Sequence, residues 1–399
     1  MAHILILGAG YAGIRTAKRL AKLAPSDTQI DLVDKNPIHV EKMSLHEIAA
    51  GTSSVDSMSF NIKSAIDTNK VNFIQATVTK VDKDNKTVTF SDHEEMTYDY
   101  LVVGLGFRSE NFGLPGADEY SLVLEDIPTA KKIYSTIEAN VAKYKESNDP
   151  NDLSILVCGA GFTGVEILGE LIDTTKKLQA KYDVPEIKVT CLEMATRILP
   201  MFDEDLANYA VDYLKDSGIN LLTGAKIKQI EKDGVLYDDD QGTEHKVTGS
   251  TIVWTVGVSG SDVITESGFD AKRNRVMVTD YLNIESNPEV YIIGDVSASM
   301  DPESERPYPT TAQLAIAQGD VAAENIVAAI KGGEPEKFTY HSLGTIASLG
   351  QHKGIADMII GGKHIKTKGY LASHVKNFSK DKSILEVSKL KIALAKGKL

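Results

Sequence analysis

The chain has 399 residues, 42% apolar and 25% charged: a soluble globular balance, and a length that asks for two or three domains rather than one core. No apolar run reaches the ~18 residues of a spanning helix, the first residues show no signal-peptide pattern, and two cysteines, Cys158 and Cys191, give no disulfide framework and point to a reducing, cytoplasmic setting. The net charge of −13 is uneven, because the stretch from Lys363 onward holds ten Lys, no Arg and two acids, while the rest holds 33 bases and 54 acids. An acidic body with a basic tail approaches anionic surfaces tail first, and the absence of a basic, Arg-rich and aromatic body argues against nucleic acid.

In chain order, HILIL (3–7) reads as a buried strand, GAGYAG (8–13) as a glycine turn, the following residues to Ala24 as a helix, and QIDLVD as a second strand ending on Asp34. This is a βαβ unit. VNFIQATVTKVD and KTVTF read as strands separated by the turn DKDN, and YDYLVVGLG (98–106) as a buried strand running into glycines. Near residue 151 the pattern restarts. LSILVC (153–158) is a strand, GAGFTG a turn, VEILGELIDTTKKL a helix, and IKVTCLE (187–193) a strand ending on Glu193. TIVWTVGV (251–258), with Gly257, repeats the role of YDYLVVGLG. The chain therefore contains an internal duplication of a nucleotide-binding fold. VYIIGDVSA (290–298) adds a strand, a helix runs from Thr311 to Ile330, and Gly332, Gly333 and Pro335 end it.

In each turn three glycines have separate tasks. Gly8 and Gly159 permit the tight strand-to-helix turn, Gly10 and Gly161 let a pyrophosphate approach the backbone, and Gly13 and Gly164 let the helix pack close to the sheet. The helix start then favours a phosphate. Asp34 and Glu193 stand where a carboxylate accepts hydrogen bonds from a ribose diol, and Glu193 would repel a 2′-phosphate, which favours NADH over NADPH. Two dinucleotides in one chain imply FAD and NAD(H). Asp295, ending a late strand, suits a hydrogen bond to a flavin ribityl chain, which assigns FAD to the first turn and NADH to the second.

GAGYAG, HEIAAGT (46–52), GAGFTGVE, IIGDVSA and PTTAQLAIAQG (309–319) together resemble the two-dinucleotide-binding flavoprotein superfamily, and within it the type II (non-proton-pumping) NADH:quinone oxidoreductases, over nearly the whole chain. The resemblance implies an α/β protein with two Rossmann-type domains and a C-terminal amphipathic membrane-docking segment: a discontinuous FAD domain (1–115 and 270–332), an NADH domain (116–269) and a membrane-association segment (333–399). It places FAD contacts at Gly8, Ala9, Gly10, Tyr11, Ala12, Gly13, Asp34, Lys35, Val78, Asp295, Ala312 and Gln313, and NADH contacts at Gly159, Gly161, Gly164, Glu193 and Gly257. Glu166, on the first turn of the second helix, falls at the boundary of nicotinamide and flavin, to orient the nicotinamide or handle protons. Both cysteines read as small core residues, so electrons leave the flavin without a thiol relay.

The acceptor implied by the resemblance is a membrane quinone, of the menaquinone class, reduced without proton pumping. The family form of AQLAIAQG carries a second Gln four residues after the first. Here Gln313 is kept, Ala317 takes the second position and Gln318 follows. His39 and His46 lack metal-ligand spacing and read as polar packing. In KGYLASHVKNFSK (368–380), Tyr370, Leu371, His374, Val375 and Phe378 fall on one side of a helix, and Lys376, Asn377 and Lys380 on the other. That is the pattern of an in-plane helix on an anionic membrane, on the cytoplasmic side. A homodimer is compatible with the resemblance. The rival expectations are a soluble NADH-dependent reductase of a small redox protein and a non-catalytic FAD/NAD redox sensor.

Overall fold

A computed structural model describes residues 1–397; the last two residues of the basic tail, Lys398 and Leu399, lie outside the described residues. Strand β1 (His3–Leu7) has four of its five residues buried. An apolar run of this kind has no face to offer water and must be covered on both sides, as in a parallel sheet between helices. Helix α1 (Tyr11–Leu23) follows the first turn, and β2 (Gln29–Asp34) lies parallel to β1. Strand β3 (Asn72–Gln75) extends the sheet beyond β2, and β4 (Tyr100–Val103) flanks β1 on the other side.

The chain then crosses to a second sheet. Helix α2 (Ile127–Ser147) opens with a capping box between Asp126 and Thr129. After it come β5 (Ser154–Cys158), α3 (Phe162–Tyr182), β6 (Lys188–Glu193), α4 (Glu204–Asp216), β7 (Ile219–Thr223) and β8 (Thr251–Trp254). These strands are all parallel, in the order Leu122–Val123, β8, β5, β6, β7. The outward crossing, Phe107–Ser109, pairs antiparallel with the return crossing, Val258–Gly260. The chain rejoins the first sheet with β9 (Asn287–Ile292), which lies parallel to β4. Helix α5 (Ala312–Lys331) then packs on α1, where a β-carbon on Gly319 would stand 2.7 Å from the Ala12 carbonyl oxygen. Arg15 pairs with Asp320, and Arg19 with Glu324, across that contact.

The C-terminal part folds back onto both sheets. Residues 333–343 form a strap without helix or strand that returns along α5. Asn325 holds it midway, accepting from the Glu336 amide at 2.7 Å and donating to the Glu336 carbonyl at 2.9 Å. An antiparallel meander follows, made of β10 (Gly344–Ser348), β11 (Gly354–Ile360) and β12 (Lys363–Lys368). The chain ends in α6 (Tyr370–Val387) and α7 (Leu390–Lys396). Among the described residues no helix is long and apolar enough to cross a membrane.

The two sides of α6 divide as the sequence pattern suggests, but they point the unusual way. An amphipathic helix ordinarily turns its apolar side toward the body. Here Lys380 is 4% exposed and Lys376 is turned inward, while Tyr370, Leu371 and Phe378 are 59%, 66% and 60% exposed. The inward side meets Glu47 and Glu166, carboxylates delivered by distant parts of the chain, and buried lysines are stable only against such partners.

The meander is seated on α3 through bare backbone. A β-carbon on Gly169 would stand 2.4 Å from both the Gly350 nitrogen and the Leu349 carbonyl carbon. Gly-to-Ala inside an exposed helix gains about 1 kcal/mol. Gly169→Ala is expected instead to lose about 1–3 kcal/mol in urea denaturation, the usual cost of overpacking. An unchanged or raised midpoint would mean that the meander is not held against α3.

Candidate functional site

The site is assembled at the carboxyl ends of the two sheets, where two turns of the same construction open. Gly8 and Gly159 have φ of +96° and +98°, the left-handed region that favours glycine. A β-carbon on Gly13 would stand 1.8 Å from the Gly8 oxygen, and one on Gly164 would stand 2.0 Å from the Gly159 oxygen. A β-carbon on Gly10 or Gly161 would meet nothing within 4 Å. The flanking glycines are thus locked by backbone, and the middle one borders open space at a helix N-terminus, the geometry that a pyrophosphate requires.

Asp34 and Glu193 brace these turns. Ala9 N–H donates to Asp34 Oδ2 and Ala160 N–H to Glu193 Oε2, both at 2.7 Å. The other oxygens, Asp34 Oδ1 and Glu193 Oε1, each accept from a backbone amide at 2.8 Å, those of Asn36 and Ala195. Each carboxylate oxygen keeps a lone pair for a ribose hydroxyl. Neither acid is an idle, solvated side chain.

Around the first turn, Ala12 is buried and Tyr11 donates its hydroxyl to Glu41 Oε2 at 3.0 Å. His39 Nδ1 donates to the Ala9 carbonyl at 3.0 Å. Lys35 is exposed beside Asp34, and Val78 is partly buried against the apolar core around the first sheet. Asp295 sits on the turn after β9, whose Gly294 amide donates to Gln318 Oε1 at 2.7 Å. Burial raises the Asp295 carboxyl above its ordinary range, opposed by Lys42 and Arg275. Its oxygens have no hydrogen-bond donor among the described residues, so the site holds an acceptor facing two cations. Ala312 and Gln313 open α5, with Thr311 as its cap. Ala317 is partly exposed, whereas Gln318 is fully buried and engaged by Gly294 and Ser297, so it does not replace the amide missing at 317.

In the second half, Gly257 follows β8, and its carbonyl accepts from the Glu110 amide at 3.0 Å. Glu166, on α3, is buried within a polar cluster. Its Oε1 accepts from Lys376 Nζ at 2.7 Å and from the Ser348 amide at 3.0 Å, and its Oε2 lies 3.5 Å from His46 Nδ1. Burial opposes its charge, but Lys376, His46 and the Ser348 amide outweigh burial and hold the carboxyl below its ordinary range. Glu170, one turn on, accepts from Gln351 at 2.7 Å and from Thr52. The stretch HEIAAGT is therefore a seam: His46 meets Glu166, Glu47 meets Lys380 at 3.9 Å, and Thr52 meets Glu170.

Sequence reasoning named Glu166 but missed Lys376 and Ser348 as its partners, and it read His46 only as polar packing. The partners are 210 and 182 residues away, so no local pattern announces them. Lys42 and Arg275, facing Asp295, were missed for the same reason. Both cysteines are buried on adjacent strands of the second sheet, and burial pushes the Cys158 thiol up to about 12 and Cys191 well above its usual value. Neither forms a thiolate at neutral pH. Among the described residues no cluster of His, Cys, Asp and Glu side chains is arranged to hold a metal ion.

Residues 2–319 match the family described as pyridine nucleotide-disulphide oxidoreductase. A type II NADH:quinone oxidoreductase of Staphylococcus aureus (strain NCTC 8325) is 40% identical over 400 residues, covering 99% of this chain and 98% of that protein. Among solved structures, NDH2 from Plasmodium falciparum in complex with NADH superposes with a TM-score of 0.85 at 19% identity, over 99% of this chain and 98% of that one. The sulfide:quinone oxidoreductase of Aquifex aeolicus superposes with a TM-score of 0.80 at 21% identity, over 97% and 91% of the two chains. At these identities the structures speak to the fold alone.

The depressed carboxyl of Glu166 has a stability consequence. An unfolded glutamate titrates near 4.3. The folded group titrates lower, so its contribution is complete above about pH 4.3 and is lost as the pH falls toward the folded value. Glu166→Gln is expected to unfold at lower urea than the parent at about pH 7, with the gap narrowing below about pH 4.3. A gap that is constant with pH would contradict an ionised, paired Glu166.

Proposed function

This chain belongs to the type II NADH:quinone oxidoreductases, an FAD-dependent group of the pyridine nucleotide-disulphide oxidoreductases, and we propose that its first glycine turn seats FAD and its second seats NADH. The observation that carries this assignment is the pair of turns locked at their outer glycines and open at Gly10 and Gly161. Asp295 supports the order. It interacts electrostatically with Tyr11 of the first turn and with Lys42, and its unpartnered oxygens suit a polyol chain. In the proposed site, Asp34 and Glu193 hold the ribose diols, Ala312 and Gln313 present the start of α5, and Glu193 excludes a 2′-phosphate by charge.

FAD, when bound, would supply the redox chemistry that links hydride donation by NADH to two-electron reduction of the quinone. The chain's own residues position the reactants. Glu166, kept as an anion, fixes Lys376 and His46 beside it, and we favour this positioning role over one as a proton carrier. Gln313 is the polar contact for the quinone, and Ala317 widens the space beside it. The acceptor we propose is a quinone of the menaquinone class, reduced without proton pumping.

Docking on the cytoplasmic face of the cell membrane accounts for the outward side of α6. Tyr370, Leu371, Phe378 and Leu385 on α6, with Leu390 and Leu394 on α7, are exposed apolar side chains, and Lys382, Lys389 and Lys391 are exposed among them. Apolar insertion between basic side chains is how an in-plane helix binds anionic lipid. The helix cannot simply be removed to test this, because Lys376 on its inner side holds Glu166.

The test is a double substitution on the outer side, Leu371→Glu with Phe378→Glu. Each buried apolar side chain is worth about 1.5–3 kcal/mol, so binding to phosphatidylglycerol vesicles is expected to fall by about a hundredfold or more. NADH:ferricyanide turnover should persist, and NADPH should be a poor donor. A parent protein that ignores anionic vesicles yet reduces a small redox protein would favour a soluble reductase. One that binds both dinucleotides without turnover would be a sensor.

A further inference from the structure

Gln313 is held by the strap rather than by its own helix. Its Oε1 accepts from the Leu343 backbone amide at 3.3 Å and from the Tyr340 hydroxyl at 3.4 Å. A backbone N–H can only donate, so the amide atom facing Leu343 is the oxygen, and this fixes which way round the amide sits. Its Nε2 then carries two donors with no acceptor among the described residues. Burial raises the Tyr340 hydroxyl above its ordinary range, so it stays an O–H donor at neutral pH. The Tyr340 ring is itself held edge-on by Tyr308, with centroids 5.5 Å apart at 79°, and Tyr308 meets Phe338 of the strap in the same manner. Asn325 pins the strap to α5 farther along.

We propose that Tyr340 is a positioning residue for quinone reduction: with the Leu343 amide it locks the Gln313 amide, so that this position offers the substrate hydrogen-bond donors only. The inference rests on the reading of Gln313 as the quinone contact. Ala317 brings no second amide, and Gln318 faces Gly294, so the orientation of one side chain decides what this helix presents. A quinone carbonyl can only accept a hydrogen bond. A quinol hydroxyl accepts more weakly and must aim its own proton elsewhere. A locked donor therefore binds the oxidised substrate in preference to the reduced product, and the product leaves. Unlocked, the amide can turn its oxygen toward the quinol and retain it.

Tyr340→Phe removes the hydroxyl and keeps the ring packed on Tyr308. With the full-length protein and a soluble naphthoquinone, its KM for quinone is expected to rise about three- to tenfold, the worth of one hydrogen bond. The kcat should move by less than about twofold, and inhibition by the corresponding quinol should strengthen. Gln313→Ala, measured in parallel, tests the reading beneath. If Gln313→Ala raises the quinone KM and Tyr340→Phe changes neither KM nor quinol inhibition, the positioning role is overturned and Gln313 remains the contact. If neither substitution moves the quinone KM, the contact reading fails and the inference falls with it.

Discussion

Two turns with outer glycines pressed against backbone and nothing but space at the middle one govern this molecule. Gly13 and Gly164 bring each helix within collision distance of its own turn, and Asp34 and Glu193 hold the turn amides from the neighbouring strand. The helix starts are thereby fixed by the chain's own contacts, and their first N–H groups have no partner within the helix. Such preorganisation is what a phosphate site needs, because the dipoles are aimed in advance. The repetition in one chain turns a nucleotide-binding protein into one that holds two dinucleotides, and the paired crossings at 107–109 and 258–260 join the halves.

A second constraint ties the C-terminal helix to this arrangement. The inner side of α6 carries Lys376 and Lys380 into a buried layer of carboxylates, Glu47, Glu166 and Glu170, with His46 and Ser348 among them. Charges persist in such a place only when paired, and breaking one pair strands its partner. The helix thus has a polar side matched to the protein and an apolar side that faces outward. That explains why a helix bearing lysines can lie against the body and still display Leu371 and Phe378. It also joins the outward-facing surface, through one ion pair, to the start of α3.

The parts of this structure legible in the sequence were those written in local pattern. The buried parallel strands follow from apolar runs, and the tight turns at Gly8 and Gly159 and the close helix packing at Gly13 and Gly164 follow from spacing. The turn-bracing role of Asp34 and Glu193 was hidden, since an acid at a strand end looks the same whether it faces a ribose or a backbone amide. The C-terminal meander and the strap were not anticipated. Residues 333–343 have no period to read, and the strap is recognisable only by what it touches: Asn325, and Gln313. The inward turn of Lys376 and Lys380 was illegible because helical periodicity separates two sides without saying which is wet, and the deciding partners, Glu166 and Glu47, lie far away in the sequence.

The proposed electron path depends on FAD at the first turn and NADH at the second. At Gly10 and Gly161 the backbone φ is −75° and −70°, outside the left-handed region that favours glycine, and a β-carbon meets nothing within 4 Å, so a side chain placed there occupies the open space. The direct measurement is the flavin content of purified Gly10→Val and Gly161→Val, followed by anaerobic addition of NADH. Gly10→Val is expected to be folded but colourless, and Gly161→Val to be yellow with a colour that NADH no longer bleaches. A yellow Gly10→Val protein beside a colourless Gly161→Val one would contradict this assignment.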